Sequence, residues 1–94
     1  MNVNAVEMGI RIQNLRRERH ETQTQLAAKL SISREQLSKL ENGTRYPSVI
    51  TLAALARCYG VSADYILFGY ARREDEAREL DYIISRLRAL QRRL

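Results

Sequence analysis

The sequence predicts an all-α fold in which five short helices form a compact body and one longer amphipathic helix follows. Two capping boxes of the form S/T-x-x-Q, one beginning at Thr22 and one at Ser33, mark two helix starts separated by a short turn. Apolar residues follow each box at spacings of three and four, as they do on one face of a helix. No segment alternates apolar and polar residues as a half-buried strand does, so no sheet is expected.

The first three helices are predicted from their apolar spacing and their caps. Helix 1 carries Met8, Ile12 and Leu15 on one face, and helices 2 and 3 begin directly after the capping residues. Gly43 follows helix 3 as a residue able to adopt positive φ, and residues 44–47 form a loop. The predicted bounds of the three helices are about 7–19, 23–30 and 34–41.

Two further short helices complete the predicted body. Helix 4 starts at Ser48 and ends at Gly60, and helix 5 runs from an N-cap at Ser62 to Phe68. The residues that helix 4 is expected to bury are Leu52, Leu55, Ala56 and Tyr59. Residues 1–71 are therefore expected to form one domain.

Residues 72–94 are predicted to form a separate amphipathic helix. Its apolar stripe consists of Leu80, Ile83, Ile84, Leu87, Leu90 and Leu94. Such a stripe either packs back on the body of its own chain or forms a seam with another chain. Because it is long for an exposed patch on a monomer, the sequence favours a dimerisation element.

Composition narrows the class of protein. A length of 94 residues allows one domain with one accessory element, and a net charge of +5 suits a nucleic-acid partner. No apolar run approaches the roughly 18 residues of a membrane span, and the N-terminus lacks the basic start and apolar stretch of a signal peptide. Cys58 is the single cysteine, which fits a reducing compartment. We therefore expect no membrane partner and a cytoplasmic location.

The connection between helices 2 and 3 indicates a helix-turn-helix unit. Only Ser31, Ile32 and Ser33 separate the two predicted helices, so the helices must cross at a steep angle. In a basic chain, this geometry makes double-stranded DNA the leading partner.

At this point the chain resembles a known family, the lambda-repressor-like helix-turn-helix domains of phage repressors and small bacterial regulators. The resemblance covers about residues 8–69. The residues that carry it are Met8-Gly9-x-Arg11-Ile12-x-x-Leu15-Arg16, Thr22-Gln23-x-x-Leu26-Ala27-x-x-Leu30, Glu41-Asn42-Gly43, Tyr46-Pro47-Ser48 and Tyr59-Gly60-Val61-Ser62-x-Asp64-Tyr65-Ile66-Leu67. The resemblance implies a five-helix DNA-binding domain, and a transcriptional regulator of the repressor type that binds a two-half-site operator as a homodimer.

Helix 3 is the expected recognition helix. Leu37 and Leu40 define its buried face, and the resemblance implies base contacts from residues on the other side: Arg34, Glu35, Ser38 and Lys39. Arg34 can donate two hydrogen bonds to guanine O6 and N7, and Glu35 can accept one from cytosine N4. The same two neighbours can instead pair with each other or with solvent.

Phosphate contacts form a second expected class, which positions a protein on DNA without reading sequence. The resemblance implies such contacts at Gln23, Ser33, Asn42, Thr44 and Arg45. The N-termini of helices 2 and 3 offer free N–H groups to an anion, in agreement with part of this set. Gln36 is expected to cap Ser33 rather than to contact DNA, and Arg45 is equally well read as an ordinary loop cation.

An ion pair and two departures from the family pattern complete the expectations. On helical wheels Arg16 and Glu41 both lie near apolar faces, and the resemblance implies that they pair, since buried charges need partners. Glu21 stands where the family usually has an apolar residue before the helix cap, so the hydrophobic staple is absent. Ser31 stands where the family usually has glycine in the turn, a place where positive φ is unfavourable for serine.

No enzymatic site is expected. The chain has one histidine and one cysteine, far apart, and neither a glycine-rich phosphate loop nor a Ser/His/Asp arrangement. The sequence therefore predicts no catalytic residue, no metal site and no cofactor. The alternative to a homodimeric regulator is an antitoxin-like or other interaction protein, whose C-terminal helix binds a partner protein.

Overall fold

The computed structural model describes residues 3–70, 72 and 74–93, without side chains at 74–81 and 93. All regular structure in these residues is helical, as the sequence predicts. The helices are α1 Ala5–Glu18, α2 Gln23–Leu30, α3 Arg34–Glu41, α4 Val49–Tyr59, α5 Ala63–Phe68 and α6 Glu74–Arg93.

Side-chain caps explain where the helices start. The side chains of Asn4, Thr22, Ser33, Ser48 and Ser62 each accept a hydrogen bond from the backbone N–H three residues later. The predicted bounds of α2 and α3 agree with the structure. Helix α1 begins two residues earlier than predicted because Asn4 caps it, and it ends at Glu18.

The apolar faces of α1–α5 meet in one core, which we call the five-helix body. Its fully buried side chains are Met8, Ile12, Leu15, Leu26, Leu37, Leu55 and Ile66. Helix α1 packs against α3 and α5, α2 packs against α3 and α4, and α4 packs against α5. This arrangement holds α3 at the surface with one face inward.

Gly9 marks the closest approach of α1 to the end of α3. A Cβ atom at this position would lie 2.5 Å from the carbonyl oxygen of Leu40 and closer still to that of Glu41. Because both neighbours are backbone atoms, neither can turn away. The absence of a side chain at Gly9 therefore sets the spacing of the two helices.

One expectation for α4 is wrong. Leu52 and Ala56 were expected to be buried with Leu55 and Tyr59, but both are only half-buried, and Thr51 is buried instead. The buried face of α4 therefore follows a strict spacing of four, through residues 51, 55 and 59, and Leu52 and Ala56 lie at its edges.

Helix α6 differs from the other five. Among the described residues, it takes part in none of the principal helix–helix packing. The Arg72 carbonyl oxygen accepts a hydrogen bond from Ser62 N at 2.9 Å, and the Arg72 guanidinium pairs with Glu18. The chain is thus tied to the five-helix body directly before α6 starts. Within the described residues, every helix is too short or too polar to span a bilayer.

Candidate nucleic-acid interface

The turn between α2 and α3 is held by both predicted capping boxes. Gln25 N donates to Thr22 Oγ1 at 3.1 Å, and Thr22 N donates to Gln25 Oε1 at 2.8 Å. The second box repeats the pattern between Ser33 and Gln36, at 3.0 and 2.9 Å. The Ser33 hydroxyl therefore serves as a helix cap, and Gln36 is its capping partner, as expected.

Helix α3 presents one polar face outward. Leu37 and Leu40 are buried, whereas Arg34, Glu35 and Lys39 are exposed and Ser38 is half-buried. The four candidate base-reading residues therefore lie outside the core. The three exposed ones are two hydrogen-bond donors, Arg34 and Lys39, and one carboxylate, Glu35. The Arg34 guanidinium contacts Gln23 Oε1 at 3.4 Å, and among the described residues no ion pair joins it to its neighbour Glu35.

The loop after α3 folds back on the end of that helix. The Lys39 carbonyl oxygen accepts hydrogen bonds from Thr44 N at 2.9 Å and Arg45 N at 3.2 Å. Asn42 Oδ1 accepts from Thr44 N at 3.0 Å and also from the Thr44 hydroxyl. Asn42, Thr44 and Arg45 are all exposed. The loop thus brings three of the five candidate phosphate contacts together at the C-terminal end of α3.

The Arg16–Glu41 ion pair lies behind α3, on the side away from its exposed polar face. Arg16 Nε donates to Glu41 Oε2 at 2.7 Å, and Arg16 Nη2 donates to Oε1 at 3.0 Å, a two-point pairing between α1 and α3. Arg16 Nη1 also donates to the carbonyl oxygen of Glu21 at 2.8 Å. The hydrogen bond to Glu41 raises the pKa of Arg16 against the opposing effect of burial.

Gln23 connects this ion pair to the exposed end of α3. Gln23 Nε2 donates to Glu41 Oε1 at 3.1 Å, while Gln23 Oε1 accepts from Arg34 Nη1 at 3.4 Å. Gln23 is half-buried, between the buried carboxylate and the exposed guanidinium. Gln23 was expected to contact a phosphate. Nothing in the sequence indicated that its side chain would bond to both Glu41 and Arg34.

A second polar cluster, which the sequence did not predict, surrounds Glu21. Its carboxylate accepts from Tyr59 Oη at 2.8 Å and pairs with Lys29. Burial opposes ionisation of Glu21, but the hydrogen bonds from Lys29 and Tyr59 outweigh it and hold the pKa of Glu21 below its ordinary value. Burial and the Glu21 carboxylate raise the pKa of Tyr59. Glu21 thus joins the α1–α2 turn to α4, at the position where the family usually has an apolar residue.

The described part of the apolar stripe on α6 is exposed. Ile83, Leu87 and Leu90 are 52–55% exposed and Ile84 is 45% exposed; we call these four residues the α6 stripe. Leu80 and Leu94, the other two expected members, lie outside the described side chains. In the part of the chain that the structure describes, no three His, Cys, Asp or Glu residues come together as a metal site.

Two short helices joined by a tight turn, with three more helices packed around them, define the lambda-repressor-like helix-turn-helix fold. The family model described as helix-turn-helix matches residues 12–66. The chain belongs to this family.

Three relatives are similar to the chain over this region. The uncharacterized HTH-type transcriptional regulator y4dJ of Sinorhizobium fredii is 46% identical over 55 residues, which are 58% of this chain and 71% of the relative. The immunity repressor protein of Bacillus phage phi105 is 40% identical over 60 residues, 64% of this chain and 42% of the relative. The HTH-type transcriptional activator BcrR of Enterococcus faecalis is 36% identical over 64 residues, 68% of this chain and 31% of the relative. The chain thus spans less than half the length of the last two.

Among solved structures, the P22 c2 repressor protein is similar to the chain, with a TM-score of 0.64 and 31% sequence identity. The match covers 66% of this chain and 94% of that chain, which was crystallised with a synthetic operator. The similarity extends over about the length of the five-helix body.

Proposed function

We propose that this protein is a cytoplasmic transcriptional regulator of the repressor type, which binds a two-half-site operator in double-stranded DNA as a homodimer. The observation that supports DNA reading best is the polar face of α3. Arg34, Glu35 and Lys39 are exposed on it, while Leu37 and Leu40 anchor the opposite face in the core. A helix held in this way can enter the major groove with its side chains at the base edges.

In this proposal Arg34, Glu35, Ser38 and Lys39 contact bases. Arg34 and Lys39 donate hydrogen bonds, and guanine is the base that presents two acceptors, O6 and N7, to them. Glu35 accepts from cytosine N4. Because this face carries both hydrogen-bond donors and an acceptor, it favours sequence-specific base contacts over non-specific electrostatic binding to DNA.

The phosphate contacts in this proposal flank the recognition helix. Gln23, Ser33, Asn42, Thr44 and Arg45 approach the backbone, two at the starts of α2 and α3 and three in the loop after α3. Ser33 N already donates to Gln36, and Asn42 Oδ1 already accepts from Thr44. We therefore propose that Ser33 donates its hydroxyl hydrogen, and Asn42 its side-chain amide N–H, to the phosphates. Arg45 contributes a full charge.

Residues 1–71 are the proposed DNA-binding domain and residues 72–94 the proposed dimerisation element. The exposure of the α6 stripe supports this assignment, because a soluble monomer rarely leaves such a stripe in contact with water. Two recognition helices then lie roughly 34 Å apart, one turn of duplex. The same exposure suits the second candidate, an antitoxin-like protein whose α6 binds a different protein.

DNA selection from a random duplex pool tests the recognition step. Wild type should enrich one sequence with two related halves. Arg34→Ala or Lys39→Ala should weaken binding to that sequence by about 1–3 kcal/mol and relax preference at one base pair per half. Arg45→Ala should weaken binding to every sequence and lower the salt slope by about one. An unchanged preference after Arg34→Ala would contradict the assignment of Arg34.

Sedimentation of the pure chain tests the assembly. We expect a dimer at low micromolar concentration, and a folded monomer when the chain ends at residue 73. That end keeps the contacts of Arg72 with Ser62 and Glu18, so the body itself is undisturbed. A shortened chain that stays dimeric would contradict the role of α6. A 94-residue chain that is monomeric by itself would favour the antitoxin-like candidate.

A further inference from the structure

Arg72, two residues before α6 begins, contacts two helices of the five-helix body. Its carbonyl oxygen accepts a hydrogen bond from Ser62 N at 2.9 Å, directly before α5 starts. Its guanidinium pairs with Glu18, the last residue of α1, and its Cζ atom lies 5.6 Å from the centroid of the Tyr65 ring. The main chain and the side chain of one residue are therefore held at separate points of the body.

The sequence at the start of α5 explains the main-chain contact. In a capping box, the N–H of the capping residue donates to a Gln or Glu side chain three residues later. Helices α2 and α3 follow this rule through Gln25 and Gln36, but the corresponding residue of α5 is Tyr65. The Arg72 carbonyl oxygen takes the place of that side chain and accepts from Ser62 N.

The ion pair with Glu18 restrains the direction of the chain more than it stabilises the body. The side chains of Arg72 and Glu18 are 34% and 52% exposed, and a pair this exposed adds little to stability. The dipole of α1 also favours a cation at its C-terminal end. Because Glu18 and Ser62 belong to different parts of the body, rotation of the chain about the Ser62–Arg72 hydrogen bond would separate the two charges.

We propose that Arg72 is a positioning residue that fixes the direction in which α6 leaves the five-helix body, and so sets the half-site spacing that the dimer accepts. This inference rests on the proposed function, in which α6 joins two copies on one operator. Leu87, in the α6 stripe, lies about 20 Å along the helix from Glu74, where α6 begins. With the stripe held in the dimer, a change of about 20° in direction would displace each body by about 7 Å, roughly two base pairs.

Duplexes that differ only in the separation of their halves test this role. The probes are the duplex selected from the random pool, and the same duplex with one base pair inserted or removed between the halves. Arg72→Ala should weaken binding to the selected duplex about 3- to 10-fold, because a loosely held second body has a lower effective concentration at its half-site. The preference for the selected spacing over the other two should fall by at least about 3-fold, and binding to a single half-site should be unchanged.

Matched variants separate positioning from loss of charge. Arg17→Ala removes an exposed arginine of α1 that forms no ion pair with any other described residue, and should keep the wild-type spacing preference. Arg72→Lys keeps a cation for Glu18 and should recover part of the preference that Arg72→Ala loses. Glu18→Arg should reproduce the effect of Arg72→Ala, and combining it with Arg72→Glu should restore part of the preference.

A purely stabilising role for Arg72 predicts a different result. Arg72→Ala would then weaken binding to all three duplexes by one common factor, or leave it unchanged, and either result would overturn the inference. If Arg72→Ala does not fold, which thermal unfolding reveals, the comparison rests on Glu18→Arg and on the exchanged pair.

Residual dipolar couplings of the backbone N–H groups, measured without DNA, separate failure of this inference from failure of the proposed function. In wild type, one alignment tensor should fit both the five-helix body and α6, whereas Arg72→Ala should require two. A wild type that already requires two, or an Arg72→Ala protein that still fits one, would overturn the inference even if an operator is bound. Conversely, the expected tensors in a protein that selects no DNA sequence would retain the fixed direction of α6 and contradict the proposed function.

Discussion

The five-helix body and α6 carry the same kind of apolar periodicity, but the structure uses it differently in the two regions. In the body, stripes from separate helices meet, and Leu37 is fully buried at their junction. On α6, Leu87 occupies an equivalent place in its stripe and is 55% exposed. Periodicity thus identifies the face of a helix that avoids water, whereas only the tertiary structure shows whether the covering partner lies in the same chain.

The strongest test of the body is removal of one charge from the buried ion pair. Arg16→Met leaves the Glu41 carboxylate without its two-point partner inside the protein, and should lower the free energy of unfolding by about 3–5 kcal/mol. Arg16→Met combined with Glu41→Leu should be much less destabilising than Arg16→Met alone. Denaturant unfolding of the single and double variants measures this. Additive effects would show that the two side chains do not interact in solution.

A matched pair of substitutions tests the comparison directly. Leu37→Ala opens a cavity in the body and should lower the free energy of unfolding by about 2–5 kcal/mol. Leu87→Ala should change the free energy of unfolding of the monomeric body little, because the Leu87 side chain is 55% exposed. It should instead raise the dissociation constant of the proposed dimer. Unfolding at low concentration and sedimentation measure the two effects. A large loss of monomer stability from Leu87→Ala would show that α6 belongs to the core.

Gly9→Ala tests the close approach of α1 and α3. In an ordinary helix interior this change stabilises by roughly 0.5–1 kcal/mol, since glycine is the more flexible residue. Here the added Cβ meets two backbone carbonyl oxygens, so we expect a net destabilisation of about 1–3 kcal/mol. Thermal unfolding gives the sign, and a stabilised Gly9→Ala variant would show that α1 and α3 lie further apart.

The parts of the fold that were predictable depend on local rules. Both capping boxes form as the sequence indicated, and the bounds of α2 and α3 follow from them. The half-buried state of Leu52 was missed because α4 is apolar on more than one face, so spacing alone does not locate its centre. The positive φ of His20 was also missed, since histidine after a helix gives no such signal.

The parts of the candidate site that were not predictable depend on contacts between distant residues. Tyr59 lies 38 residues from Glu21 in sequence, so the hydrogen bond from its hydroxyl to Glu21 could not be predicted. This bond stands where the family usually has a hydrophobic staple. The Gln23 amide likewise takes its orientation from Glu41, 18 residues away. Residue type and spacing thus identify the exposed face of α3. The hydrogen bonds between distant residues behind that face are known only from the tertiary structure.

The Glu21 cluster should make the free energy of unfolding of the five-helix body depend on pH in the acidic range. The pKa of Glu21 is lowered on folding from its ordinary value of 4.5, so its contribution is complete above pH 4.5 and is lost as the pH falls through the lower, folded value. Glu21→Gln should cost about 1 kcal/mol at neutral pH and flatten the stability curve in that acidic window.

Both proteins contain the other carboxylates. The difference between the unfolding free energies of wild type and Glu21→Gln at each pH therefore isolates the contribution of Glu21. Tyr59→Phe serves as a control, because it removes one donor and leaves the carboxylate, and should give an intermediate slope. Denaturant unfolding measured from pH 3 to 7, roughly the range in which carboxylates titrate, supplies the curves. Parallel curves for wild type and Glu21→Gln would show that Glu21 titrates normally.

The smallest expected effect lies in the turn that joins α2 to α3. Ser31 has φ 56° and ψ 39°, a left-handed conformation in which a side chain costs roughly 1–2 kcal/mol. Its backbone N–H donates to the carbonyl oxygen of Ala28, and a glycine would keep that bond. Ser31→Gly should therefore stabilise the body by about 0.5–1 kcal/mol, once the greater flexibility of glycine in the unfolded chain is counted.

A reverse substitution serves as the matched control for the effect of φ. Gly60 has φ 62°, and a Cβ built on it meets nothing within 4 Å, so Gly60→Ala adds the conformational cost without a clash. It should destabilise by about as much as Ser31→Gly stabilises, and thermal unfolding measures both. If Gly60→Ala destabilises while Ser31→Gly has no effect, the turn relaxes around Ser31. The conformation that sets the angle of α3 would then be maintained by the two flanking caps rather than by the residue at its centre.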